Sequence, residues 1–280
     1  GPPGTHLLQL ALRPGIHAPM ASIEDTGRIG TVGTCWRYPV KSLQGTTATQ
    51  LVVDPSGVVG DRTHAVIDPE TGHLLSAKRV SALLEGFATD GRITFPDGQV
   101  LRFDDPAIDE VLSGWLGRTV HLAAQEEAGE RSFEMTFDPP NDDAEYYEIP
   151  APPGTFLDAA PLHLVTTATL AGCAAARPDL GWDVRRFRPN LVLDVDIEPF
   201  GEQSWVGHQV AIGDIVITVD GPTVRCAMPL RAQPGGLERE PQLFKAMSEL
   251  NEAFPNHLGL YCSVTEPGTV AVGDPVSLIG

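Results

Sequence analysis

Lysine is scarce, with Lys41, Lys78 and Lys245 the only three in 280 residues. The formal net charge is −18, from 19 basic and 37 acidic side chains. Phosphate backbones are gripped through a basic face, so a chain this acidic is not built around nucleic acid. No apolar run approaches the roughly 18–20 residues that cross a bilayer, so no membrane span is expected. Cysteine is sparse as well. Cys35, Cys173, Cys226 and Cys262 are too few for a disulfide scaffold and too far apart for a zinc clip or an iron–sulfur cluster. The eight histidines show no metal-type spacing. A Gly-x-Gly-x-x-Gly turn and a Walker lysine loop are both missing, which excludes the usual nucleotide folds. The apolar stretch Leu7-Leu-Gln-Leu-Ala-Leu12 has no basic region ahead of it and does not read as a secretory signal. A reducing cytoplasm is therefore the expected compartment.

Apolar residues make up 42%, enough for a sizeable core in one large domain or two joined ones. Residues 1–27 read as a tag or flexible leader, with a natural start near Met20. From Arg28 the pattern turns to strands. Alternating or β-branched runs are expected at 29–38, 48–53, 61–67, 73–77, 92–95 and 99–103, with hairpin turns at Asp68-Pro-Glu-Thr-Gly72 and Pro96-Asp-Gly98. Residues 108–116 carry helical spacing. The stretch 125–148 holds nine acidic residues against one basic, Arg131, and reads as a solvated loop or a docking face for a basic partner. Further on, a strand at 162–165 feeds a helix at 170–176 capped by a threonine. Strands follow at 187–193 and 210–219, the latter broken by Gly213-Asp214. A helix at 241–254 and strands over 260–264 and 269–279 close the chain. Many short strands with about three helices give a mixed α+β, β-rich barrel fold.

The few cations gather. Lys41, Lys78, Arg37, Arg62, Arg79, Arg185, Arg186, Arg188, Arg225 and Arg231 all fall in short stretches at turns or strand ends, a pattern that suits an anion pocket. Six patches stand out: Tyr38-Pro-Val-Lys-Ser42, Gly60-Asp-Arg62, Ser76-Ala-Lys-Arg79, Leu157-Asp-Ala-Ala-Pro161 with Thr166-Thr167, Phe187-Arg-Pro-Asn190 and Val224-Arg-Cys226. Their Lys, Ser, Arg, Thr and Asn side chains donate to phosphate or carbonyl oxygens, and Cys is a soft ligand for a transition metal. Taken alone, Cys226 is more often a small core residue. A guanidinium beside it favours the thiolate, which attacks electrophiles and binds metals. Cys35, Cys173 and Cys262 sit on apolar runs and read as core, and His163 as core or pocket wall.

These patches, in this order, resemble the MOSC family, including the mitochondrial amidoxime-reducing component and its bacterial relatives. The resemblance runs from about Arg28 to Gly280 and includes the closing Glu266-Pro-Gly-Thr-Val-Ala-Val-Gly-Asp-Pro-Val276. It implies an N-terminal MOSC β-barrel domain over 28–145 and a MOSC domain over 146–280. It also implies a molybdenum–molybdopterin cofactor with Cys226 as its metal ligand. Lys41, Ser42, Arg62, Lys78, Arg188, Asn190 and Arg225 would hold the pterin and phosphate, helped by Thr166 and Thr167 at a helix N-terminus. Asp158 would stand near the metal or donate a proton. The implied activity is reduction of N-hydroxylated compounds by oxo transfer, fed by a separate ferredoxin- or cytochrome b5-type donor. Two other readings use the same frame: cysteine-dependent sulfur transfer or lyase chemistry at Cys226, and a carrier for the cofactor. The chain departs from its relatives at Thr223, where they often carry a first cysteine, at Ala159-Ala160, and over Ala227-Met-Pro-Leu-Arg231.

Overall fold

The computed structural model describes residues 27–279 except Asp90 and Asp142. Residues 1–26 of the expected leader, the start near Met20 and Gly280 lie outside the described residues.

In the first half the strands are β1 (Arg28–Arg37), β2 (Thr46–Ala48), β3 (Gln50–Asp54), β4 (Gly57–Val58), β5 (His64–Ile67), β6 (Phe87–Thr89), β7 (Arg92–Thr94) and β8 (Val100–Arg102). Helix α1 (Ile108–Leu116) follows, ended by Gly117 in the left-handed conformation that favours glycine. Then come β9 (His121–Ala124), β10 (Ser132–Met135), β11 (Tyr147–Pro150) and β12 (Leu162–Thr166). The rest of the chain forms α2 (Thr167–Ala176), β13 (Leu191–Val195), β14 (Gln209–Ile212), β15 (Ile215–Val224), α3 (Gln242–Leu250), β16 (His257–Glu266), β17 (Gly268–Ala271) and β18 (Pro275–Ile279).

Seven strands close a barrel in the order β13-β12-β16-β15-β14-β18-β1, with β1 pairing back onto β13. Only β12 and β13 run parallel, and α2 makes the crossover between them. The β-branched alternation of β15 explains its role. Ile215, Ile217 and Val219 point inward beside Val32, Leu164, Leu193 and Leu260, all buried. Each such side chain contributes roughly 1.5–3 kcal/mol of burial. A second core, with Leu83, Leu84, Ile93 and Leu112, sits under α1. A third packs α2 and α3 onto the barrel through Cys173, Phe187, Leu243 and Met247.

Two expectations about the elements change. Residues 73–77 form no strand, although Ile67 and Leu74 make an isolated bridge. After the Asp68 turn, Leu75 N donates back to Val66 O but Leu74 N donates to Ser132 O, and the ladder partner of β5 is β9. The acidic stretch is not a loop throughout, because β10 and β11 form an antiparallel ladder at its two sides. The threonine cap holds as read: Thr166 accepts from Thr169 N at 3.2 Å. Cys35, Cys173 and Cys262 are buried.

Candidate functional site

The site begins where β1 runs out. Tyr38 N donates to Asp61 Oδ1 at 2.6 Å, and Arg62 N returns to Tyr38 O at 2.8 Å. This pins the Tyr38-Pro-Val-Lys-Ser stretch against the Gly60-Asp-Arg turn. Among the described residues five non-glycines have positive φ, and three of them are Ser42 (70°), Arg62 (47°) and Arg188 (54°). Each costs about 1–3 kcal/mol and persists only where its surroundings dictate it, as at binding sites. Ser42 Oγ accepts from Ala77 N at 3.0 Å, drawing the Lys78 segment in.

Lys41 and Lys78 then meet one carboxylate. Lys41 Nζ lies 2.5 Å from Asp158 Oδ1, Lys78 Nζ lies 3.0 Å from Oδ2, and Lys41 also donates to Phe156 O at 2.8 Å. The Phe133 ring lies beneath both, 5.4 and 3.9 Å from the ammonium nitrogens. Burial alone would raise the Asp158 pKa, but the two ammonium groups outweigh it and hold the carboxyl well below the usual range. Asp158, expected near the metal or as a proton donor, is thus an ionised acceptor. Burial and the nearby Lys78 lower Lys41, with Asp158 opposing them. Burial also works to lower Lys78, yet Asp158 and then Cys226 prevail and hold it above the ordinary lysine value.

A second group surrounds Tyr38. The guanidinium carbons of Arg62 and Arg188 lie 4.6 and 4.3 Å from its ring centroid, and Trp36 stacks at 6.0 Å. Arg62 pairs with Asp61. Arg188 is 6% exposed, yet its Nη1 and Nη2 have no partner among the described residues, and neither has the Tyr38 hydroxyl. Burial, with Arg62 beside it, pushes Arg188 down to about 10. An unpaired buried guanidinium is costly.

Arg225 forms the third group. Its Nε donates to Leu258 O at 2.8 Å and its Nη1 to Phe187 O at 3.0 Å, while Nη2 reaches His163 Nε2 at 2.5 Å. His163 is buried at the start of β12, and Gly259 makes room for it: a Cβ there, at φ +84°, would lie 2.6 Å from His163 Nε2. Asn190 frames the same corner, accepting from His163 N at 3.3 Å and donating to Trp36 O at 3.4 Å. Cys226 is a free, half-buried thiol just past β15, where the β15–β16 register shifts. It lies close enough to act on both Lys78 and Arg225, though burial still pushes Arg225 down to about 10.

Among the described residues Lys41, Lys78, Arg62, Arg188 and Arg225 face the carboxylates of Asp61 and Asp158, a surplus of three positive charges in a chain of net charge −18. Beside them, Arg62, Leu157, Phe156 and Pro161 border a cavity of about 210 Å³. A cavity of about the same volume elsewhere, bordered by Asp68, His73, Arg79 and Arg118, holds none of these groups.

Two expected residues are not brought to this cluster. The Thr166 hydroxyl donates to Glu202 Oε2 at 3.2 Å, and Thr167 Oγ1 donates to Asp194 Oδ1 at 3.0 Å. The anion at the α2 N-terminus is the protein's own Glu202, which is 0% exposed. Conversely, Tyr38, Asp61, His163 and Tyr261 belong to the cluster's surroundings and were not named as its members. Tyr38 lay inside the first motif. His163 carried a signal too, since a lone histidine in a buried strand needs partners. Burial pushes Tyr261 up to about 12, with Asp158 and Cys226 adding to it against Arg225 and Lys78.

The chain belongs to the MOSC family. The MOSC domain matches residues 152–277 and the MOSC N-terminal beta barrel domain matches residues 29–127. Among its relatives, mitochondrial amidoxime-reducing component 1 of Homo sapiens is 23% identical, covering 90% of this chain and 84% of its own. Mitochondrial amidoxime reducing component 2 of Macaca fascicularis is 24% identical, covering 89% and 83%. Among solved structures, the YuaD protein of Bacillus subtilis superposes with a TM-score of 0.42 at 9% identity, covering 89% of this chain and 94% of its own.

Proposed function

We propose that the protein is a molybdenum-cofactor-dependent reductase of N-hydroxylated compounds, with Cys226 the protein ligand of the metal. One observation carries the reading: a free thiol stands beside a buried surplus of positive charge that includes Arg188, whose Nη1 and Nη2 have no hydrogen-bond partner among the described residues. That donor set fits a phosphate-bearing group with a thiophilic metal. Among the described residues no cluster of three or more His, Cys, Asp or Glu could hold a metal by itself. A metal at Cys226 would therefore arrive with its other ligands already attached, as a dithiolene-bound metal does.

Arg188 and Arg62 would take the phosphate, framed by Ser42 and Asn190. Arg225, fixed on Leu258 O and Phe187 O, would hold the chain that leads into Cys226. The bound group supplies the exchange of two electrons and removal of the oxygen atom. Converting an N–OH to N–H and water consumes two protons as well. Asp158 stays ionised between its two ammonium groups and would orient Lys78 Nζ, a proton-bearing group close enough to Cys226 to feel its charge. The electrons would come from a separate ferredoxin- or cytochrome b5-type protein. The name of the amidoxime-reducing relatives supports the substrate class. No described helix is long and apolar enough to cross a membrane.

The test is production with molybdate, followed by metal and pterin analysis and an assay in which a reduced dye drives turnover of an N-hydroxylated amidine. About one molybdenum per chain, lost in a folded Cys226→Ser variant, and dye oxidation matched by amidine formation are expected. Folded wild-type protein without molybdenum, or metal-loaded protein inert toward N-hydroxylated compounds, would overturn the reading.

A further inference from the structure

The segment after Cys226 has little structure of its own. Residues 227–241 contain one 3-10 turn, Met228–Leu230, and one isolated bridge between Gln233 and Leu237. Pro229 and Pro234 lack N–H groups, and Gly235 and Gly236 both turn through positive φ. The backbone carbonyls of such a strap need partners from elsewhere. Arg186 supplies them. Its Nη1 donates to Pro229 O at 2.9 Å and Arg231 O at 3.1 Å, and its Nη2 to Glu238 O at 2.7 Å. Its Nε donates to Gly181 O at 2.7 Å, where a Cβ on Gly181 would lie only 3.2 Å from Nη2.

Arg186 is 2% exposed, and every one of its hydrogen bonds goes to a neutral main-chain carbonyl. The neighbouring Asp183 is held by Arg185 at 2.8 Å. A well-packed apolar side chain would fill this space at less electrostatic cost. What the guanidinium alone provides is a rigid fork of donors that fixes three strap carbonyls at once. The next residue completes the arrangement, because Phe187 O accepts from Arg225 Nη1 at 3.0 Å. Consecutive residues of one segment thus grip the chain on both sides of Cys226: Phe187 holds Arg225 before it, and Arg186 holds Pro229 and Arg231 after it.

We propose that Arg186 is a positioning residue for Cys226, setting the place of its sulfur by locking the strap that follows it. The proposal rests on the reading of Cys226 as metal ligand. Arg186→Met and Arg186→Lys are compared with wild type and with Leu243→Ala, a truncation in the core that also packs against this segment. Melting temperature, molybdenum affinity, the sulfur-to-metal absorption band and, in metal-free protein, the rate at which iodoacetamide alkylates Cys226 are measured. Both Arg186→Met and Leu243→Ala are expected to lower the melting temperature. Only Arg186→Met should shift the absorption band, change the alkylation rate and weaken metal binding by about tenfold or more, the usual effect of disturbing a ligand's support. Arg186→Lys should fall between the two. Wild-type molybdenum affinity and alkylation rate in folded Arg186→Met, or in Arg186→Lys if the first does not fold, would overturn the proposal. Wild-type protein that binds no molybdenum would instead sink the ligand reading, while the alkylation rates still decide the role of Arg186.

Discussion

Nη2 of Arg225 donates to Nε2 of His163 at 2.5 Å, so the histidine proton sits on Nδ1, facing Arg188 O at 3.3 Å. Burial and the Arg225 charge together hold His163 well below its ordinary pKa of 6.5. Below about pH 6.5 the unfolded chain takes up a proton that the folded one refuses, so stability falls as the pH drops. His163→Gln should remove this dependence. Denaturation at pH 6.5 and 5.5 should show wild type losing up to about 1.4 kcal/mol more than the variant over that unit. Parallel curves for the two proteins would refute the assignment.

Asp158→Asn leaves two buried ammonium groups without their shared carboxylate. Removing one partner of a buried pair costs about 3–5 kcal/mol. The Asp158 side chain is 37% exposed, so screening brings the expected loss nearer to 2 kcal/mol. Adding Lys41→Met should recover part of it, since one unpaired charge disappears. Urea midpoints of the three variants check this, and an unchanged midpoint in Asp158→Asn would remove the clamp from the account.

Arg188 presents the opposite case, a buried charge that destabilises until something binds. Arg188→Met should raise the melting temperature of cofactor-free protein, by removing an unpaired cation next to Arg62. Inorganic phosphate should stabilise wild type and not the variant. A variant that melts lower and still responds to phosphate would show that Arg188 belongs to the frame.

Glu202 is wholly buried and accepts from Thr169 Oγ1 at 2.7 Å and Thr166 Oγ1 at 3.2 Å. Burial raises its pKa above the ordinary 4.5. The folded state therefore holds the proton more tightly, and stability declines as the pH rises from about 4.5. Glu202→Gln should flatten that slope at little cost, whereas Glu202→Ala should cost about 2–3 kcal/mol by stranding both hydroxyls. Thermal melts between pH 4 and 7 separate the two.

The parts of the site legible in the sequence were those written in local turn chemistry. Tyr38-Pro-Val-Lys-Ser42, Gly60-Asp-Arg62 and Phe187-Arg-Pro-Asn190 sit at strand ends, where short-range patterning places them. The barrel strands and the Thr166 cap were readable for the same reason. Side-chain pairing was not. Lys41 meets a carboxylate more than a hundred residues away, and Thr166 is occupied by Glu202, which no motif around either residue announces. The strand expected at 73–77 failed because its backbone donors are divided, Leu75 N turning back to Val66 O of β5 and Leu74 N to Ser132 O. Arg186, next to a recognised motif, reads in the sequence as one of the cations that suit an anion pocket, whereas it holds three strap carbonyls.

The barrel closes through β1, the earliest of its strands, against β13 and against β18, which runs to residue 279. Lys41 and Ser42 hang directly from the end of β1. While the chain is being made, the first strand has to wait, unpaired along those edges, for residues 191–195 and 275–277. Such a pairing across the chain is slow and exposes a sticky edge in the meantime. The cation cluster, which joins Lys41 to Arg225, is consequently among the later features to assemble.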